Sequence, residues 1–165
     1  MAKKRSINFR TGIGYDVHQL RDGRPLILGG IRIPHPQGLL GYSDADVLVH
    51  AICDALLGAT SEGDIGRHFP NSDPQYQDIE SMLLLRKVAE LIEKRGFGVI
   101  NIDATIVAQA PKLAPCIPQM EERIAQTLGV KKELVNVKAT TAEGLGFTGK
   151  GEGIAAYAIA LLEKR

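Results

Sequence analysis

The sequence predicts an α+β fold, a two-layer sandwich with helices on one face of a mixed β-sheet. Three observations carry that expectation. Apolar residues alternate over 99–109 and 134–141, the period of half-buried strands. They recur at helical spacing over 79–95 and 117–128. The chain has 165 residues, enough to bury one sizeable core and too few for two domains. One-sided helices laid on one side of a sheet are the economical way to cover such faces.

In chain order, residues 8–18 and 24–34 read as extended segments joined by a turn at Asp22-Gly23, where glycine accepts positive φ. Gly29-Gly30 interrupts the second segment and marks a bulge or bend. Ser43 or Asp44 is the expected cap of a helix running through His50 to Leu57. Residues 60–75 hold Gly63, Gly66, Pro70 and Pro74 and read as a turn-rich loop. The next helix spans about Ile79 to Arg95. Its apolar stripe is Met82, Leu85, Ala89 and Ile92, and Gly96 ends it.

From Val99 to Gln109, Ile100, Ile102, Ala104, Ile106 and Ala108 face one way, with Asn101, Asp103, Thr105 and Val107 opposite. A Pro-flanked turn leads to a helix with the stripe Ile117, Met120, Ile124 and Leu128, closed by Gly129. Val135, Val137 and Ala139 then alternate as a strand. Residues 154–162 read as helix by their alanines, or as a buried strand by their length and apolar run. The partly polar sheet face must meet water or another subunit, so symmetric assembly fits the pattern. The whole of 1–165 is expected to be one domain, with 1–7 a flexible N-terminus.

Composition excludes several classes. Twenty Lys and Arg against 19 Asp and Glu leave a net charge of +1, which argues against a nucleic-acid protein working through a broad basic field. Cys53 and Cys116 form no CxxC and no disulfide framework, which suits a reducing compartment. Met1-Ala2-Lys3-Lys4-Arg5 is basic, but no apolar stretch follows, and no run is long enough to cross a bilayer. Glycine is abundant at 18 residues, so much of the backbone is expected in turns or close approaches.

Four constellations could carry chemistry. Asp16 and His18 are i, i+2 on a strand and project to the same side. With His50 they make three ligands, the number used by catalytic zinc sites that keep a fourth position open. Asp46 and Asp54, each four residues from His50, are candidates to hold its other ring nitrogen. The plainer alternative is a satisfied core histidine. Gly63-Asp64-Ile65-Gly66 with Phe69-Pro70-Asn71-Ser72-Asp73-Pro74 could present amides and short polar groups to a hydroxylated ligand, or be only an Asx-rich turn.

Ala108-Gln109-Ala110-Pro111-Lys112-Leu113 could offer backbone groups to a planar base and Lys112 to a phosphate, or be a plain connection. Lys138-Ala139-Thr140-Thr141-Ala142-Glu143-Gly144 offers hydroxyls for phosphate oxygens and a carboxylate for Mg²⁺. The glycine-rich run to Gly153 lacks the Gly-Lys-Ser/Thr order of a Walker loop, and a turn before the last core element explains it equally.

Taken in order, these pieces resemble the 2-C-methylerythritol 2,4-cyclodiphosphate synthase family of the non-mevalonate isoprenoid route. The likeness runs from Gly12 to the C-terminus. It rests on Asp16-Val17-His18, Ser43-Asp44 with Asp46 and His50, Asp64-Ile65-Gly66, Ala108-Gln109-Ala110-Pro111-Lys112 and Asn136-Val137-Lys138-Ala139-Thr140-Thr141. The resemblance implies a lyase that cyclises 4-diphosphocytidyl-2-C-methyl-D-erythritol 2-phosphate and releases CMP. Asp16, His18 and His50 would bind Zn²⁺, and Glu143 would bind Mg²⁺ or Mn²⁺. Thr141 would help stabilise the transition state, and Ser43 and Tyr42 would be further catalytic residues.

Asp64 and Gly66 would contact the methylerythritol hydroxyls, and Ile65, Phe69, Asn71 and Asp73 would also bind substrate. Ala108, Pro111, Lys112, Leu113, Ala114, Thr140 and Thr141 would hold the cytidine diphosphate. The resemblance further implies a cytoplasmic bacterial enzyme, or a processed plastid one. Three subunits would pack their sheets around a three-fold axis, each site lying between neighbours and the last segment being a strand. Phe147, Lys150 and Glu152 would line an axial cavity that takes an isoprenoid diphosphate.

Two residues depart from the family pattern. Tyr42 stands where a His aligns phosphate, and it offers a hydroxyl donor but no cation near neutral pH. Lys150 stands where Arg is common, replacing a two-pronged contact by a point charge. Two other readings use the same residues. A metal-dependent phosphohydrolase would direct the cations at water, and an inactive zinc-stabilised relative would bind metal without turnover.

Overall fold

The computed structural model describes residues 8–165; the flexible N-terminus expected for 1–7 lies outside the described residues. Strand β1 (Phe9–Asp22) is followed by three short strands, β2 (Leu26–Leu28), β3 (Ile31–Ile33) and β4 (Gln37–Leu39). Helix α1 (Val47–Ala59), a one-turn helix α2 (Ile65–His68) and α3 (Ser81–Lys94) come next. Then follow β5 (Phe97–Val107), α4 (Ile117–Leu128), β6 (Val135–Thr140), a one-turn α5 (Gly146–Gly149) and β7 (Gly153–Lys164). The main sheet has the order β4-β1-β7-β5-β6, and β2 and β3 form a separate ribbon. The sheet is mixed because β5 and β6 pair in parallel while β7 runs antiparallel to both β1 and β5. Parallel neighbours need a crossover, and α4 supplies it.

The periodicities translate directly into faces. Ile102, Ala104 and Ile106 of β5 are buried under the helices, as are Val135 and Val137 of β6. Ile100 escapes the alternation because the β5–β7 register shifts between Val99 and Asn101. Met82, Leu85 and Ile92 of α3 and Met120 and Ile124 of α4 face the same core. The ambiguous last segment is a strand. Its alternate residues Ile154, Ala156, Ala158, Ala160 and Leu162 are buried, a period-two pattern hidden by alanines that favour helix in isolation.

Three local expectations are revised. Segments 8–18 and 24–34 do not form a hairpin, since β1 pairs with β4 and β7 instead. The hairpin turn is Gly29-Gly30, with φ of 60° and 73°, joining β2 to β3. Positive φ at both central residues is the requirement of a two-residue turn. The cap of α1 is Asp46, whose carboxylate accepts Val49 N–H at 3.1 Å and also Gly29 and Gly30 N–H at 3.0 and 2.7 Å. Asp46 is fully buried, so one carboxylate ties the glycine turn to the start of the helix.

Helix α1 lies between the sheet and α3, with eleven of its 13 residues buried. It sits unusually close to β1. A Cβ added at Gly14 would lie 1.8 Å from the Ala51 carbonyl oxygen, and one at Gly12 would lie 2.0 Å from that of Ala55. Strand and helix backbones therefore touch, which brings the first half of β1 against the middle of α1. We expect Gly14→Ala to cost about 3 kcal/mol or more in urea unfolding, because rigid backbone on both sides must part. Gly23→Ala, in open space at φ 75°, should cost only about 1 kcal/mol.

Candidate metal centre and substrate cleft

In the middle of β1, Asp16 and His18 point toward the helix layer, where His50 of α1 meets them. Asp16 Oδ2 lies 3.0 Å from His18 Nε2 and 2.9 Å from His50 Nδ1, and the two nitrogens are 3.1 Å apart. This is a nearly equilateral triangle of donor atoms. A tetrahedral ion with bonds of about 2.0–2.1 Å holds its ligand atoms roughly 3.3 Å apart, so little movement is needed to close on one. Gly41 leaves room for the His18 ring; a Cβ there would come 3.0 Å from its Cε1.

The outer ring nitrogens settle what the inner ones present. His18 Nδ1 is 2.7 Å from the Leu40 carbonyl oxygen, which can only accept, so Nδ1 carries the proton. In the neutral ring, Nε2 then aims a lone pair at a carboxylate, an arrangement that calls for a proton or a cation between them. The pKa directions follow. Burial opposes charging Asp16, but hydrogen bonds from His18 and His50 outweigh it and hold the carboxyl well below its usual range. Burial also opposes the charged His18 ring, but the Asp16 hydrogen bond and charge raise its pKa. The donor set, the triangle and the N–H of His18 held by a carbonyl all fit a bound cation.

Neither Asp46 nor Asp54 holds the second nitrogen of His50, contrary to expectation. Asp46 is committed to the backbone N–H groups described above. Asp54 accepts Ile65 N–H at 2.8 Å and so pins the start of α2 to α1. His50 Nε2 is met instead by Ser81 Oγ at 2.8 Å and Ser43 Oγ at 3.1 Å. Sequence spacing did not reveal Ser81, because a serine opening a helix reads as a cap. Its signal emerges only in three dimensions, as a fully buried hydroxyl beside a histidine.

The triangle opens into a cleft of about 220 Å³. Tyr42, Ser43, Ile65, Gly66, Phe69 and Asn71, all candidates from the sequence, line it together with Tyr76, Ile79 and Leu84. Tyr42 donates its hydroxyl to the Asp73 carbonyl at 3.2 Å, closing one rim. Asp64 and Asp73 act locally as caps, accepting Arg67 and Gln75 N–H. Phe69 and Tyr76 meet edge-on at 5.4 Å, with the Lys87 ammonium over both rings.

The remaining candidates form a second cluster. Ala108 N–H donates to Thr140 O, and Gly144 N–H reaches Gln109 Oε1, joining the 108–114 loop to 140–144. Thr141 Oγ1 donates to Glu143 Oε1 at 3.2 Å, and Glu143 has a φ of 52°, strained for a residue with a Cβ. Leu113 and Ala108 are themselves buried in the core. Phe147 lies in α5 and Lys150 directly follows it, and both are exposed. None of these residues lines the cleft around the triangle. Pairing explains the separation: Asp16 is level with Ala156, Ile106 with the same Ala156, and Thr140 with Val107. Both clusters thus sit at one end of the sheet, on β1 and β6, three strand spacings or roughly 14 Å apart.

The comparisons with known proteins agree with this geometry. The YgbB family profile matches residues 9–163. The 2-C-methyl-D-erythritol 2,4-cyclodiphosphate synthase of Syntrophomonas wolfei is 61% identical over 155 residues, covering 94% of this chain and 99% of that protein. The synthase of the same name from Geobacter sulfurreducens is also 61% identical, over 156 residues, with the same coverage of both chains. Among solved structures, the bifunctional IspDF of Campylobacter jejuni superposes with a TM-score of 0.94 at 42% identity, over 97% of this chain. This chain spans 43% of that longer one. A CDP-bound 2C-methyl-D-erythritol-2,4-cyclodiphosphate synthase gives a TM-score of 0.86 at 35% identity, covering 93% of this chain and 99% of its own. With its donor triangle on β1 and α1 and a match over nearly every described residue, the chain belongs to the YgbB family.

Proposed function

We propose that this protein converts 4-diphosphocytidyl-2-C-methyl-D-erythritol 2-phosphate to 2-C-methyl-D-erythritol 2,4-cyclodiphosphate and CMP, a lyase step of non-mevalonate isoprenoid synthesis. The observation that carries the reading is the Asp16, His18 and His50 triangle at the mouth of a cleft, in a chain 61% identical end to end to enzymes of that name. In the reaction an oxygen of the substrate's 2-phosphate attacks the β-phosphorus. The new P–O bond closes the ring, and the bond to the bridging oxygen breaks, leaving that oxygen on CMP. No protein nucleophile is required, so catalysis is alignment and charge neutralisation.

Zn²⁺ held by Asp16, His18 and His50, and Mg²⁺ or Mn²⁺ held by Glu143, would supply positive charge to the phosphates when bound. The side chains do the rest. Ser43 and Tyr42 offer hydroxyls at the rim of the cleft. The Thr141 hydroxyl is placed to donate to a phosphate oxygen as negative charge builds. Ile65, Gly66, Phe69 and Asn71 surround the polyol end, with Asp64 and Asp73 shaping those loops. Thr140, Lys112 and the backbone of 108–114 receive the cytidine diphosphate, a role supported by the CDP-bound relative.

We place the working site between copies in a homotrimer. Two features support this. Within one chain the two clusters are separated across the sheet, and the helix-free face of β1 and β7 exposes Phe9, Ile13, Tyr15, Val17, Tyr157 and Ile159. A neighbour packed on that apolar face would bring its 108–114 and 140–143 segments toward the triangle. Phe147, Lys150 and Glu152 would then face the axis and could meet an isoprenoid diphosphate, with Lys150 a weaker clamp than Arg. Among the described residues no helix is long and apolar enough to cross a membrane, and we assign the protein to the cytoplasm.

Phosphorus NMR of the protein with the cytidylated substrate and both cations should show a cyclic diphosphate and CMP in equal amounts. Inorganic phosphate or an open-chain product would replace this reading with a phosphohydrolase, and bound zinc without turnover would mean an inactive relative. In calorimetric titration with Zn²⁺ alone, His50→Ala should weaken binding by more than the roughly 10–100-fold typical of losing a ligand's hydrogen-bond partner. Unchanged zinc stoichiometry and affinity would overturn the ligand assignment. Tyr42→His adds a group that becomes cationic below about pH 6.5. Its rate relative to the parent should rise as pH falls through that range, and identical pH profiles would remove Tyr42 from phosphate alignment.

A further inference from the structure

Behind the metal centre, away from the cleft, lies a chain of buried polar groups for which helix capping accounts only in part. Ser81, the first residue of α3, is fully buried. Its backbone N–H donates to Asp44 Oδ2 at 3.0 Å, and its hydroxyl donates to Asp44 Oδ1. Capping requires the first of these bonds. The second leaves Ser81 Oγ with lone pairs only, aimed at His50 Nε2 from 2.8 Å.

We propose that Asp44 and Ser81 are positioning residues that hold His50 as its Nε2–H tautomer, so that Nδ1 presents a lone pair to the triangle before any cation arrives. The inference rests on the metal-site reading above and adds two residues to it. The single hydroxyl proton of Ser81 decides what the ring meets. Asp44, as a carboxylate, can only accept; besides both Ser81 bonds it takes Asp46 N–H at 3.1 Å. The Ser81 proton is therefore committed to Asp44, and Ser81 Oγ is an acceptor for the ring. Asp16 Oδ2, 2.9 Å from His50 Nδ1, pulls the other way, toward Nδ1–H; a proton on His18 Nε2, 3.0 Å from Asp16 and 3.1 Å from His50 Nδ1, answers both and leaves the His50 proton on Nε2, facing Ser81. Ser43 Oγ, 3.1 Å from the same nitrogen, accepts Ala45 N–H, and its own proton has Ser81 Oγ as an acceptor at 3.4 Å.

The scaffold under the relay is rigid. Asp78 N–H donates to Tyr42 O at 2.8 Å, and Asp44 N–H donates to Ile79 O at 3.0 Å, lacing the 42–44 segment to the start of α3. The arrangement is a carboxylate–histidine–metal triad with one hydroxyl inserted. Helix α3 thus couples its docking to the readiness of a ligand on α1.

Asp44→Asn separates this role from capping. The amide oxygen can still accept Ser81 N–H, while its NH₂ donates to Ser81 Oγ. The serine proton is then released toward His50 Nε2, which favours the wrong tautomer. Long-range ¹H–¹⁵N spectra of the metal-free protein at mildly alkaline pH should show His50 as Nε2–H in the parent. In Asp44→Asn the population should shift toward Nδ1–H, and zinc affinity by calorimetry should fall about 10–100-fold. Ser81→Ala should lose affinity comparably. An Nδ1–H ring in the metal-free parent, or both variants binding zinc as the parent does, would overturn the relay. If the parent itself binds no zinc, the metal-site reading fails, and the tautomer in the parent and in Asp44→Asn still decides for or against the relay.

Discussion

The structure turns on a contact between two backbones. Gly12 and Gly14 on β1 let α1 settle until the Ala51 and Ala55 carbonyls touch the strand. Ordinary helix–sheet packing is held apart by side chains on both surfaces. Here the strand offers none and the helix offers alanines. The consequence appears two and four residues farther along the same face of β1, where Asp16 and His18 emerge at the level of His50. Any side chain at Gly14 would lift the helix and open the triangle. Asp46 fixes the other coordinate, since its three N–H bonds set where α1 begins and hence where its fourth residue lies.

Burial and charge then determine what the site can be. Three donors within about 3 Å of one another, partly withdrawn from water, are unfavourable unless something positive sits among them. Pairing with Asp16 favours a proton on His18 and raises its pKa, and pairing with the two rings lowers that of Asp16. A cation would take the same position and do the same electrostatic work. The outer nitrogens belong to different partners, a carbonyl for His18 and hydroxyls for His50. Each ring is thus oriented from behind by an element that does not touch the triangle.

The sheet also holds the two clusters apart. β7 and β5 lie between the donor triangle on β1 and the Thr140–Glu143 segment after β6. The strands bring both to one end of the sheet but cannot narrow the gap, because strand spacing is set by backbone hydrogen bonds. The helix-free face divides in the same way. It is apolar over β1 and β7, with Tyr15 and Tyr157 rings 4.9 Å apart. Over β5 and β6 it is polar, where Asp103 meets Asn136 and Lys138. A surface so divided suits a partner that buries one half and leaves the other near solvent.

Much of this was legible in the chain itself. Period-two and helical stripes placed β5, β6, α3 and α4, and the i, i+2 pair Asp16 and His18 needed only a strand to share a face. Gly129 and Gly96 marked helix ends by their positive φ. Such features are local: a few consecutive residues and backbone geometry decide them. What the chain alone could not decide were matters of pairing. Whether Gly29-Gly30 is a bulge or a turn depends on which strand lies opposite. Whether 153–164 is helix or strand depends on β1 and β5 offering hydrogen bonds on both sides, which outweigh the preference of alanine for helix. The partner of His50 Nε2 was beyond reach for the same reason. Asp46 and Asp54 are near it in sequence, but Ser81, 31 residues away, is brought to it only when α3 docks against α1. Sequence determined which groups could ligate, and tertiary packing decided which of them converge, because convergence of side chains is a property of contacts between elements rather than of any one of them.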